Sequence, residues 1–107
     1  MNLAVILARG GSKRIQKKNI KEFLGKPVIS YAIKTAKKSK LFNNIIVSTD
    51  SKEIANVAKD SGAEVPFMRP DNLSDDFTTT DEALLHVINY FENQSIFFNY
   101  VCCIYPV

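Results

Sequence analysis

The chain has 107 residues, of which 46% are hydrophobic, and a formal net charge of +3 at neutral pH. This length suits one domain with an ordinary hydrophobic core, and the composition excludes an intrinsically disordered chain. No apolar run reaches the roughly 18 residues of a membrane-spanning helix, and the sequence begins with an apolar segment rather than a charged leader and a cleavage site. We therefore expect a cytoplasmic protein that makes no contact with membranes.

Strand-like and helical patterns alternate along the sequence. Short apolar runs predict strands at residues 2–8, 44–49, 63–68 and 100–105. Apolar residues at helical spacing predict helices at 28–38, between a cap at Asp50 or Ser51 and Gly62, and at 80–92. Because strands that alternate with helices form parallel sheets with right-handed crossovers, we predict a Rossmann-like α/β fold with a mostly parallel sheet and flanking helices.

Polar or charged residues follow each predicted strand. A basic loop follows the first strand, the triplet 48–50 (Ser-Thr-Asp) ends the second, Arg69 follows the third and Tyr105 ends the fourth. Ligands of parallel α/β sheets bind beyond the carboxyl ends of the strands, which lie at one edge of the sheet. We therefore expect these residues to form a single site.

The loop after the first strand carries most of the positive charge. Residues 3–27 contain seven basic side chains and one acidic one, which gives +6 in a chain whose total is +3. The basic residues are Arg9, Lys13, Arg14, Lys17, Lys18, Lys21 and Lys26. Backbone N–H groups of Gly10, Gly11 and Ser12 can line one concavity, because glycine has no Cβ to block a close approach. Such a loop suits the phosphates of a nucleoside triphosphate.

The basic loop lacks the signatures of two common nucleotide-binding motifs. It matches neither the P-loop G-x-x-x-x-G-K-[ST] nor the dinucleotide motif G-x-G-x-x-G, which disfavours ordinary ATPase chemistry and hydride transfer. A solvated basic loop, or nonspecific binding to nucleic acid, is the alternative to phosphate binding. However, the loop has no interleaved aromatic residues and the rest of the chain sums to −3, so we expect no nucleic-acid partner.

Three segments of the chain resemble a known family. They are LARGGSKRIQKKNIKEFLGKPVISYAI, FNNIIVSTDSKEIANVAKDSGAEVPFMRP and LSDDFTTTDEALLHVI. In this order, and without large gaps, they resemble the cytidylyltransferases that activate nine-carbon acidic sugars, the CMP-sialic acid synthetase family. The pattern A-R-G-G-S-K-x-x-x-x-K-N at residues 8–19 is the specific part of the match. The resemblance implies that residues 1–107 are the N-terminal part of a cytidylyltransferase domain.

The resemblance also implies roles for individual residues. Arg9 and Lys18 match the family's triphosphate loop as the direct phosphate contacts, and they are the expected catalytic residues. The implied CTP-binding residues are Ala8, Arg9, Gly10, Gly11, Ser12, Lys13, Lys18, Asn19, Arg69, Asp76 and Thr79. Arg69 matches an arginine that helps to hold the cytidine. Tyr105, where sialic acid enzymes usually carry glutamine, is the implied sugar-binding residue, and this departure favours pseudaminic acid over sialic acid.

The implied reaction is attack of the sugar's anomeric hydroxyl on the α-phosphorus of CTP, with release of pyrophosphate. Its implied cofactor is Mg²⁺, whose ligands we expect beyond Val107, and the full-length protein is expected to be a homodimer. The product would serve surface glycan synthesis and flagellin glycosylation. Because the sequence ends directly after a predicted strand, we expect a truncated domain that is inactive alone. The alternatives are a CMP-N-acetylneuraminate synthetase and a catalytically silent nucleotide-binding remnant.

The remaining candidate residues favour structural roles. His86 lies within the third predicted helix, and a single histidine in such a position is more often structural than catalytic. Asp75 and Asp76 precede the same helix and suit its entry as caps. Cys102 and Cys103 lie in an apolar run, and we expect both to be reduced residues of the core.

Overall fold

The computed structural model describes residues 1–9, 22–23, 26–74 and 78–105. Its strands are β1 (Asn2–Leu7), β2 (Glu22–Phe23), β3 (Lys26–Pro27), β4 (Asn44–Ser48) and β5 (Tyr100–Ile104). Its helices are α1 (Val28–Ser39), α2 (Lys52–Asp60), the 3₁₀ helix Asp71–Leu73 and α3 (Thr80–Glu92). The predicted first, second and fourth strands and the helices at 28–38 and 80–92 are confirmed to within one residue at each end. No helix in the described part of the chain is long and apolar enough to span a membrane.

Three of these strands form the predicted parallel sheet. Strand β1 lies in the centre, with β4 on one side and β5 on the other, and both pairs are parallel. The register places Leu7 beside Ser48 and Ile6 beside Ile104. The carboxyl ends of β1, β4 and β5 therefore lie at the same edge, and the Rossmann-like fold class is confirmed.

Both faces of the sheet are covered by helices. Side chains of β1 alternate between the faces, because successive residues of a strand point to opposite sides. Ile6 packs with Ile33 of α1 and Ile54 of α2 in one buried cluster. Val5 packs with Val87 of α3 in the other. Helices α1 and α2 therefore cover one face of the sheet, and α3 covers the other. The carboxyl ends of β1 and β5 thus form the topological switch point, where such folds bind ligands.

The predicted strand at 63–68 is wrong. The segment makes one parallel bridge, between Ile46 and Glu64, in which the Glu64 N–H donates to Ile45 O at 2.9 Å and the Val47 N–H donates to Glu64 O at 3.0 Å. The next donor in a parallel ladder would be residue 66, which is a proline without an N–H. The segment therefore leaves the sheet, and the N–H of Arg69 next donates to Thr49 O, just beyond the end of β4, at 2.8 Å.

The two cysteines are not core residues, contrary to the prediction. Cys102 is exposed and Cys103 is partly buried, and both are free thiols. Strand β5 pairs with β1 alone among the strands that the structure describes, so its outer edge and much of its surface face solvent. The apolar pattern correctly indicated a strand but not its burial.

Helix α3 begins with a capping box rather than with the aspartates proposed from the sequence. The Thr79 hydroxyl oxygen accepts a hydrogen bond from the Glu82 N–H at 3.1 Å, and the Thr79 N–H donates to the Glu82 carboxylate at 3.3 Å. This arrangement satisfies two backbone donors that the first turn of a helix leaves unpaired. Asp75 and Asp76 lie outside the described residues.

We expect Thr79→Ala to lower the free energy of unfolding by about 1 kcal/mol, because it removes the capping oxygen. Thr35→Ala is the matched control, since Thr35 is exposed within α1 and alanine has the higher helix propensity there. Urea titrations followed by circular dichroism measure both effects. Equal stability of the two variants would contradict the assignment of the cap.

Candidate functional site

Residues after separate segments of the chain come together at the carboxyl edge of the sheet, which we call the rim. Ala8 and Arg9 follow β1, Asp50 follows β4, Arg69 follows the segment that bridges to β4, and Tyr105 follows β5. The parallel pairing of β1, β4 and β5 places the residues that follow these strands at one edge, as the sequence predicted. Arg69 is held there by the hydrogen bond from its backbone N–H to Thr49 O. The other proposed phosphate-loop residues and Asp76 lie outside the described part of the chain. They are Gly10, Gly11, Ser12, Lys13, Lys18, Asn19 and Asp76.

Arg69 is buried at the rim, with only 5% of its surface exposed. Its Nε–H donates to Ser48 Oγ at 3.1 Å and its Nη2 donates to Ser48 O at 2.7 Å. Its Nη1 donates to Leu73 O at 3.3 Å, and its backbone N–H donates to Thr49 O at 2.8 Å. These acceptors offset the cost of burying a guanidinium, and they hold its planar fork in one orientation.

The electrostatic environment of Arg69 identifies its charged neighbours. Burial lowers the pKa of Arg69, the carboxylate of Asp50 raises it and the positive charge of Arg9 lowers it. An arginine remains protonated at neutral pH under such influences. The rim therefore brings two guanidinium groups and one carboxylate within electrostatic range of one another. Of these two neighbours, Asp50 influences the pKa of Arg69 more strongly than Arg9 does.

The Ser-Thr-Asp triplet at 48–50 has a structural explanation. Ser48 is fully buried and holds Arg69, while Thr49 Oγ1 accepts a hydrogen bond from the Ser51 N–H at 3.1 Å. Ser51 is the N-cap of α2, and its side-chain oxygen accepts from the Ile54 N–H at 3.3 Å. The sequence allowed either Asp50 or Ser51 as the cap, and the structure selects Ser51. The role of Ser48 was not predicted, because its only signal is a hydroxyl at the end of a buried strand.

Ala8 fixes the start of the basic loop. Its N–H donates to Ser48 O at 3.0 Å, and its side chain is buried. The same carbonyl oxygen accepts the hydrogen bond from Arg69 Nη2. The ends of β1 and β4 and the Arg69 side chain are therefore joined at one backbone oxygen.

Tyr105 and Thr79 border the rim from the side of α3. Tyr105 is 60% exposed, and its hydroxyl donates to Thr80 Oγ1 at 3.4 Å. This leaves most of its ring accessible to a ligand. The Thr79 hydroxyl is engaged by Glu82 as the helix cap. The roles of these residues in binding sugar and CTP stay predictions.

His86 lies beside the rim, in an apolar setting. Its ring packs edge-on against Phe67 with centroids 4.7 Å apart. Burial lowers the pKa of His86, and the charge of Arg69 lowers it further. Its Nδ1 is buried and has no hydrogen-bond partner among the residues described. The lowered pKa favours the neutral ring, and the structural role of His86 stays a prediction.

Comparison with known proteins supports the resemblance. The family model described as cytidylyltransferase matches residues 3–105. The pseudaminic acid cytidylyltransferase of Campylobacter jejuni is 47% identical over 104 residues, which are 97% of this chain and 45% of that protein. The CMP-N,N'-diacetyllegionaminic acid synthase of Legionella pneumophila is 40% identical over 104 residues, with the same shares of 97% and 45%.

A solved structure supports the fold. The structure of CMP:2-keto-3-deoxy-manno-octonic acid synthetase complexed with CTP matches with a TM-score of 0.79 at 20% identity, and the match covers 98% of this chain and 39% of that one. The chain spans about 45% of the length of the two curated relatives described above. Because the family model matches nearly all of its residues, the chain belongs to the cytidylyltransferase family.

Proposed function

We propose that the chain is the nucleotide-binding part of an enzyme that activates a nine-carbon acidic sugar as its CMP derivative, using CTP and releasing pyrophosphate. The observation that carries this proposal is the position of the basic loop, which begins at Arg9 at the carboxyl end of β1. That position is the topological switch point, and it lies within electrostatic range of Arg69. Family membership supports the same assignment.

The chemistry of this transfer matches what the chain supplies. Attack of a sugar hydroxyl on the α-phosphorus needs alignment of the two reactants and neutralisation of the phosphate charge more than it needs a protein nucleophile. Arg9 and Lys18 are the proposed phosphate contacts, together with the backbone N–H groups of residues 10–12. These groups would hold the triphosphate while the charge of the leaving pyrophosphate develops.

Mg²⁺ is the proposed cofactor, on the basis of the family resemblance. Within the ranges that the structure describes, no three His, Cys, Asp or Glu side chains are grouped to hold a metal ion. The proposed roles of Arg9 and Lys18 do not depend on a metal ion. The resemblance likewise supports a cytoplasmic homodimer, and a product that would serve surface glycans and flagellin glycosylation.

Pseudaminic acid is the proposed sugar. The name of the Campylobacter relative and the exposed Tyr105 ring support it, because an aromatic ring with one hydroxyl suits a less polar sugar than the amide of glutamine does. An N-acetylneuraminate enzyme and a silent remnant are the competing functions.

In the test, the full-length protein is incubated with CTP, Mg²⁺ and either pseudaminic acid or N-acetylneuraminic acid, and the release of pyrophosphate is measured. We expect release with pseudaminic acid, and we expect Tyr105→Gln to shift the ratio of kcat/KM towards N-acetylneuraminic acid by about ten-fold. Tyr105→Phe is the control, since it removes only the hydroxyl. A preference of the parent for N-acetylneuraminic acid would contradict the assignment of pseudaminic acid as the sugar. Binding of CTP without turnover of either sugar would favour the catalytically silent remnant.

A further inference from the structure

The hydroxyl of Tyr105 is engaged by the protein, although 60% of the residue is exposed. It donates to Thr80 Oγ1 at 3.4 Å, in the first turn of α3. It is also hydrogen-bonded to the side chain of Cys103, two residues earlier in β5. Burial raises the pKa of the Cys103 thiol more than this hydrogen bond lowers it, so the thiol is protonated at neutral pH. Both of these polar partners of the hydroxyl belong to the chain itself.

We propose that Thr80 is a positioning residue for the sugar substrate, and that it tethers Tyr105 so that the face of the ring, not the hydroxyl, contacts the sugar. The matching part of the sugar is a surface of C–H groups, such as a deoxy carbon, rather than a hydroxyl. This inference rests on the proposed function, because it takes Tyr105 to be the sugar-binding residue. It adds the kind of contact and the residue that prepares it.

The hydrogen-bonding capacity of Tyr105 supports this assignment. A phenol has a single O–H donor, and the same oxygen is its acceptor. Because Thr80 takes the donor and Cys103 lies at the same oxygen, a sugar hydroxyl would have to compete with both side chains. The ring is the part that remains for a ligand. The tether also orders the ring before the sugar arrives, which lowers the entropy cost of the contact.

The surroundings of Tyr105 suit an apolar contact. Tyr105 and Ile104 border a cavity of about 480 Å³ beside α1, which Val28, Tyr31 and Phe42 also line. None of the described residues that line this cavity is charged. A carboxylate would lose its hydration there without gaining a cation, whereas a C–H surface would not. The less polar part of the sugar therefore suits this end of the rim.

The test measures pyrophosphate release by the full-length protein at varied concentrations of pseudaminic acid and of CTP. We expect Thr80→Val, which keeps the shape of the side chain but removes the acceptor, to raise KM for the sugar by about three-fold. The KM for CTP should not change. Thr80→Ser keeps the hydroxyl and should restore the sugar KM of the parent. Circular dichroism checks that each variant is folded.

Variants of Tyr105 test the same tether from its other end. Tyr105→Phe should raise the sugar KM by about three-fold, because the ring remains, and Tyr105→Leu by at least about ten-fold. In the Tyr105→Phe background, Thr80→Val should add less than about 1.5-fold, because the two side chains act as one unit. Tyr105→Phe answers the question if Thr80→Val fails to fold.

A spectroscopic measurement tests the ring contact without turnover. Protons that lie over an aromatic face move upfield in the NMR spectrum, so the C–H signals of pseudaminic acid should move upfield with the parent and not with Tyr105→Leu. The proposal is overturned if these signals do not move, if a folded Thr80→Val keeps the sugar KM of the parent, or if Tyr105→Phe costs as much as Tyr105→Leu. Additive effects of Thr80→Val and Tyr105→Phe would also overturn it. A parent that releases no pyrophosphate with either sugar would instead reject the proposed function.

Discussion

Replacing Arg9 and Lys18 together by alanine is expected to weaken CTP binding by at least about 100-fold, because each lost charge-assisted hydrogen bond to phosphate contributes roughly 1.5–3 kcal/mol. Arg9 begins the basic loop at the end of β1 and lies within electrostatic range of Arg69. Lys18 belongs to the pattern A-R-G-G-S-K-x-x-x-x-K-N that matches the family. Calorimetric titration with CTP measures the loss.

A control with the same change in net charge separates a local effect from a general one. Lys38 and Lys59 are exposed on α1 and α2, so replacing both by alanine also removes two positive charges. We expect this control to bind CTP within about two-fold of the parent, since exposed charges far from a ligand are screened at physiological salt. If both double variants lose the same affinity for CTP, the basic loop contributes only through its net charge, and the assignment of Arg9 and Lys18 as phosphate contacts is wrong.

The second large effect is expected at the core of the fold. Ile33 is 0% exposed and packs in the cluster between the sheet and helices α1 and α2. Ile33→Ala should lower the free energy of unfolding by about 2–5 kcal/mol, through lost burial and the cavity left behind. Because domains of this size have only about 5–15 kcal/mol of stability, this variant should be partly unfolded at moderate urea concentrations.

Leu41→Ala is the matched control for that experiment. Leu41 is 64% exposed, so its truncation should change the stability by less than about 0.5 kcal/mol. Urea unfolding followed by circular dichroism compares the two variants. A similar, small loss in both would mean that α1 does not pack against the sheet as described, and the rim would lose its support on that side.

The buried elements were the most predictable from sequence. Strand β1 is hydrophobic on both faces because helices cover both, and a continuous apolar run of that length is typical of a central parallel strand. Helix α1 has its apolar residues at helical spacing, and Ile29, Ile33 and Ala36 are indeed buried. In these segments, local pattern and tertiary environment agree, so the pattern alone is sufficient.

The wrong predictions have identifiable physical causes. The segment at 63–68 has a strand-like composition, but one missing N–H at Pro66 prevents continued pairing. Strands β2 and β3 have two residues each, too few for any periodicity to be detected. The exposure of Cys102 depends on which strands border β5, and this depends on the arrangement of the whole sheet rather than on the run itself.

The candidate site was predictable in its location but not in its connections. Parallel strands bring Arg9 and Tyr105 to one edge, so the grouping of these two residues follows from topology. Arg69 lies there without a strand before it, because its backbone N–H donates to Thr49 O. The hydrogen bonds between Arg69 and Ser48 join residues 21 positions apart. Composition carries no signal for such a pair, and only the three-dimensional register reveals it.

Pro66 has a consequence for how this edge of the sheet can change. Any other residue at this position would carry an N–H, and the segment would gain the means to continue its ladder along β4. A longer strand would pull the backbone of Arg69 into line with the sheet and away from the Thr49 carbonyl that now accepts its N–H at 2.8 Å. The missing N–H of Pro66 thus ends the pairing of this segment with β4. It leaves the Thr49 carbonyl available to the N–H of Arg69, three residues later.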